Sequence, residues 1–142
     1  MATKKPAPAP AQPKPADSEK ITINLGFVDL GQIDLLVAEG FYGNRTDFIR
    51  TAIRNQLAQH NEAVKQAAAR KTLVLGLQHF SADDLRAAKA AKQKLRIRVL
   101  GLARIGHDVT PELALATIES VDVLGALQAS PAVKAALAHR IR

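Results

Sequence analysis

The sequence predicts an α+β protein in three parts: a flexible arm, a strand followed by two helices, and a small solenoid-like module of three β-α repeats. Residues 20–27 alternate strictly between polar and apolar side chains, the period of a half-buried strand. From Asp29 onward the apolar spacing turns helical, with a capped restart at Asn44. Beyond residue 71 a Val-Leu-Gly-type pattern occurs three times, each time ahead of a helix-start signal.

Composition narrows the classes. Of 142 residues, 47% are hydrophobic, enough for a folded core, yet only 4% are aromatic, so that core must be built from Leu, Ile, Val and Ala. The absence of Cys excludes disulfides, thiolate metal sites and a cysteine nucleophile, and it fits a reducing compartment. No run of about 18 apolar residues is present to span a membrane. The N-terminal lysines are followed by prolines and not by an apolar run, so no secretory signal is read and the cytoplasm is the expected location. A net charge of +7 favours a polyanionic partner. Most of that charge lies beyond residue 70, where eleven basic side chains face six acidic ones, whereas residues 21–70 carry five of each.

The elements follow in order. Residues 1–18 are mainly Ala, Pro and Lys with almost no large apolar side chain, so the arm is expected to stay flexible, either as an inert tail or in contact with DNA phosphates. In residues 20–26, Lys20, Thr22 and Asn24 share one face and Ile21, Ile23 and Leu25 the other. No partner strand is near in sequence, and a second copy of the chain can supply one. Residues 29–41 place Leu30, Ile33, Leu36, Val37 and Phe41 on one helical face, ending near Gly40. Asn44, Arg45, Thr46 and Asp47 read as a helix cap with an acid at the third position. The second helix is expected to run unbroken to about Arg70, with Phe48, Ile49, Ala52, Ile53 and Leu57 on its buried stripe. In residues 71–142, Val74, Val99 and Val123 mark three strands, and Ser81, Thr110-Pro111 and Ser130-Pro131 start three helices, the middle one reaching Ser120. The glycines Gly76, Gly101 and Gly125 are read as close packing between adjacent strands.

A strand, an amphipathic helix, a tight turn and a capped second helix over residues 20–57 resemble the ribbon-helix-helix superfamily of the CopG/Arc/MetJ type. The resemblance rests on the alternating strand from Lys20 to Leu25 and on the turn and helix start from Gly40 to Arg50. It implies a homodimer whose two strands pair antiparallel and enter the major groove of double-stranded DNA. Lys20, Thr22 and Asn24 would then face base edges, and Asn44, Arg45 and Thr46 would hold a phosphate at the start of the second helix. Ile21, Ile23, Leu25, Phe48, Ile49 and Ile53 would close the dimer core. A solvated strand face and a plain helix cap are the alternatives for these polar residues.

The implied function is a bacterial, nucleoid-associated transcription regulator that represses by occupying a promoter, as a dimer, tetramer or higher assembly. The β-α module would assemble dimers or sense a protein partner or small effector. An antitoxin whose C-terminal region clasps a toxin is a second reading, and a structural protein whose repeats polymerise is a third. Lys89, Lys92, Lys94, Arg96, Arg98 and Arg104 form a basic group read as a solvated or oligomer-facing surface, with DNA phosphates as the alternative. His79, His107 and Asp108 fall in comparable loops that could admit a small effector or a metal. The four histidines lack metal-site spacing and no phosphate loop or catalytic group is present, so neither an enzyme nor a cofactor is expected.

Overall fold

A strand needs a partner for its backbone donors and acceptors, and among the described residues the segment 20–26 finds none: its residues form neither helix nor sheet and are exposed along their whole length. The computed structural model describes residues 18–142, and the predicted arm lies almost wholly outside them. Phe27, read as the end of the apolar strand face, instead opens the first helix and is 92% exposed.

Helix α1 spans Phe27–Ala38 and buries one residue, Ile33. It ends two residues before the predicted Gly40 because Gly40, at φ +84°, turns the chain out of the helix. The amides of Gly40 and Phe41 donate back to Val37 and Leu36, the paired bonds of a Schellman end.

The second helix departs from the sequence reading. It is two helices, α2 at Arg45–Gln59 and α3 at Asn61–Arg70, separated at His60, whose φ of −102° leaves helical geometry. Asn is a weak helix former that favours helix starts, and Asn61 begins the new helix. Thr72 then adopts φ +53° to end α3 and lead into the sheet.

The β-α region forms a parallel sheet in the order β1 (Val74–Phe80), β2 (Leu95–Ile105), β3 (Ile118–Gln128). Helices α4 (Ala82–Ala90), α5 (Pro111–Thr117) and α6 (Pro131–Leu137) follow the strands and share with one sheet face a core that includes Leu85, Ile97, Val99, Val121, Val133 and Leu137. Each helix starts where expected: Ser81, Thr110 and Ser130 accept from the amides of Asp84, Leu113 and Val133. Helix α5 stops at Thr117 and not at Ser120, because Ile118 pairs with Leu95 and begins β3. The strands are longer than their sequence motifs, since pairing and burial continue past the Val-Leu-Gly core of each.

Val74, Val99 and Val123 lie side by side, as do Gly76, Gly101 and Gly125. The expected close packing is present. A Cβ on Gly101 would sit 2.3 Å from the carbonyl oxygen of Gly76, and one on Gly125 would sit 2.1 Å from that of Gly101. All three residues have φ between +120° and +139°, a conformation that side chains disfavour. Among the described residues no helix is long and apolar enough to cross a membrane.

Candidate nucleic-acid interface

Alternation puts Lys20, Thr22 and Asn24 on one side of the leading segment and Ile21, Ile23 and Leu25 on the other, and the chain leaves both sides open. Ile21 is 72% exposed and Ile23 56%. Apolar side chains left in water by a segment with unpaired backbone are two deficits that one partner strand corrects together. Behind the segment, Ile23, Leu25, Ile33, Leu36, Phe48, Ile49, Ala52 and Ile53 line an open apolar groove of about 370 Å³. Five of the six residues expected in a dimer core (Ile23, Leu25, Phe48, Ile49 and Ile53) therefore meet in one place; Ile21 lies outside the groove lining. Tyr42 and Phe48 stack edge to face beside it, centroids 5.0 Å apart, fixing the turn against α2.

The start of α2 is built as a cap with a modification. The Asn44 side chain accepts from the Asp47 amide at 2.8 Å. The Asp47 carboxylate reaches past the cap residue and accepts from Gly43 at 2.9 Å. The amides of Arg45 and Thr46 in the first turn have no acceptor among the described residues, which leaves the positive end of the helix facing solvent.

Arg45, at the first turn of α2, also has a partner within the chain. Its guanidinium donates two hydrogen bonds to Asp34 on α1, both 2.8 Å, tying the two helices together. These bonds and the adjacent positive charge hold the Asp34 carboxyl below its ordinary value and raise Arg45. Sequence reading missed this pair because its partners are eleven residues apart on different helices, outside any helical spacing rule.

The basic group in the β-α region is largely engaged. Lys94 donates to the Ala116 carbonyl at 2.7 Å, and Arg98 to that of Lys71 at 3.1 Å. Arg96 pairs with Glu119 at 2.8 Å, where a register shift in the β2–β3 pairing leaves Glu119 as the extra residue. That bond, with the charge behind it, lowers the Glu119 carboxyl. Arg104 donates to Gln128. Of the three residues read as lying in loops, His79 lies instead in β1, paired beside Arg104, because strand pairing continues to Phe80; it and His107 line a common depression of about 380 Å³ with Arg104 and Lys134. Asp108 turns away and accepts from the Ala82 amide at the start of α4. Among the described residues no group of three His, Asp or Glu side chains is placed to hold a metal.

Comparison with curated proteins and with solved structures gives no match. Comparison with protein families does: a ribbon-helix-helix transcriptional regulator family matches residues 16–134. The match extends far beyond the strand and two helices that carry the resemblance and takes in most of the β-α region. The chain belongs to the ribbon-helix-helix transcriptional regulator family.

Proposed function

We propose that the protein is a homodimeric, sequence-specific DNA-binding regulator that inserts a two-stranded ribbon into the major groove and represses by occupying a promoter. One observation carries this reading: residues 20–26 present an unpaired backbone and an open apolar face in front of an unfilled apolar groove. A second copy repairs all three at once. Antiparallel pairing of two such segments turns Ile21, Ile23 and Leu25 inward over the grooves and leaves Lys20, Thr22 and Asn24 as the outer face of a ribbon.

The chemistry of that face suits base edges. Asn24 can donate to and accept from adenine, Thr22 can bond a base or touch a thymine methyl, and Lys20 can reach guanine or a phosphate. Behind the ribbon, the amides of Arg45 and Thr46, with Asn44 as cap, offer a phosphate the positive end of α2. Arg45 contributes charge at that end while it braces α2 against Asp34. The family membership supports the regulatory role, and the net charge of +7 supports attraction to a polyanion.

The test is a salt series of binding to fragments of the protein's own upstream region beside random DNA. The Thr22→Ala/Asn24→Ala variant is expected to lose about ten- to a hundredfold in preference for the specific fragment while staying dimeric. Equal binding of specific and random DNA by the native protein rejects sequence reading.

A further inference from the structure

Parallel sheets are ordinarily covered on both faces, but among the described residues helices cover only one face of this sheet. The other is apolar. Register and alternation place two rows on it: Leu75, Leu100 and Leu124, then Leu77, Leu102 and Ala126. Leu75 is 69% exposed, Leu77 57% and Leu124 49%. Leu75, Leu77, Leu100, Leu102 and Ala126 line a broad depression of about 740 Å³, at whose margin Ser18 and Glu19 also lie. Polar rows border the leucines at both ends, Arg98 and Asp122 at one, His79, Arg104 and Gln128 at the other. An apolar centre inside a polar rim is the anatomy of a protein interface, and monomers rarely leave such a patch open.

We infer that this leucine face is covered by the same face of a second copy, the two sheets stacked with their strands antiparallel. Three arguments select that occupant. First, the arm that begins beside the depression offers Ala, Pro and Lys, with Met1 as its one large aliphatic side chain, and cannot match five leucines. Second, the face is complementary to itself. Turning one copy about an axis perpendicular to the strands, between the two apolar rows, sets Leu124 over the partner's Ala126, large side chain over small. Third, the same rotation sets Asp122 over the partner's Gln128 with the partner's Arg104 on the adjacent strand, so that opposite charges come near each other at both ends, while Arg98 is drawn aside to the Lys71 carbonyl. The homodimer proposed above supplies the second copy at high local concentration, and in that respect the inference rests on that reading.

Sedimentation equilibrium of the full chain, five substituted variants and one truncation tests it, with circular dichroism as the check on folding. Ile53→Asp opens the N-terminal groove and is expected to remain a dimer through the leucine face. Leu77→Lys/Leu124→Lys, both at exposed positions, is expected to weaken self-association at least tenfold, and its combination with Ile53→Asp to give monomers. Asp122→Arg is expected to weaken association and Asp122→Arg/Arg104→Asp to restore it, which a face covered by anything but an antiparallel copy would not do. A folded Ile53→Asp chain that is monomeric overturns the inference. So does a chain lacking residues 1–17 that gains binding of the dye ANS at unchanged mass, which makes the arm the cover. DNA binding by Leu77→Lys/Leu124→Lys, measured in parallel, separates failure here from failure of the ribbon as reader.

Discussion

The two halves of the molecule solve burial differently. Of the fourteen buried apolar residues among those described, thirteen lie between Ala82 and Leu137, and one, Ile33, lies before them. The β-α region closes its core within one chain. Residues 18–70 contain strong helix signals and good caps but leave Ile21, Ile23, Leu35, Phe41, Ile53 and Leu57 exposed. Local sequence is therefore sufficient to make helices without being sufficient to make a core. On the reading proposed above a second copy completes the first region, and such a partner would be part of its fold as well as of its function.

The largest test of that contrast is at the glycine row. Gly101→Ala places a methyl 2.3 Å from the Gly76 carbonyl at φ +139°, so two strands must separate. Its cost is expected at or above about 4 kcal/mol, in the range of exceptional substitutions, read from urea unfolding. Gly76→Ala, where a Cβ meets nothing, bears only the backbone penalty of about 1–3 kcal/mol. Equal effects at the two positions would remove the packing argument. Next, Leu85→Ala empties a fully buried site and should cost about 2–5 kcal/mol. The matched change Ile53→Ala should leave the unfolding of the β-α region in place and make the helical signal of residues 27–70 depend on protein concentration. A concentration-independent signal would mean that the first region stands alone.

Smaller effects sharpen the contrast. Lys92, exposed at φ +55°, ends α4 in a conformation suited to glycine, so Lys92→Gly should stabilise the β-α region by about 1 kcal/mol. Acid should weaken both regions mildly. Asp34 and Glu119 are held below their ordinary values of 3.8 and 4.5 by bonds from Arg45 and Arg96, and Asp84 below 3.8 by bonds to Ser81. Groups with folded values below their unfolded ones contribute stability that is present above the unfolded value and lost as pH falls through the folded value. Thermal midpoints should therefore drop below about pH 4.5, and Asp34→Asn should reduce that drop at the α1–α2 junction.

Much of this architecture was legible before any coordinates. The spacing of Val74, Val99 and Val123 predicted three equivalent strands, and they lie in one register because the repeat imposes the same length on each β-α unit. Ser81, Thr110-Pro111 and Ser130-Pro131 marked their helices because caps act through local bonds. The break at His60 was not legible, since apolar spacing continues through Val64 and Ala68 and only a backbone angle betrays it. The end of α5 was set by Ile118 meeting Leu95, and the bracing of Arg45 by Asp34, both contacts between residues remote in sequence. At the candidate interface, alternation gave residues 20–26 two faces, but among the described residues no strand pairs with them, and their pairing with a second copy is the reading proposed above.

The glycine row also bears on how the sheet finds its alignment. Strands rich in Val and Leu can slide by two residues and still present apolar side chains to the same faces, so hydrophobicity alone tolerates that error. In this sheet such a slip would carry the Cβ of Val99 or Ala103 into the place reserved for Gly101, about 2 Å from a carbonyl oxygen of the strand before it. The row thus acts as a proofreading mark, rejecting by steric exclusion the one misalignment that the apolar pattern cannot distinguish.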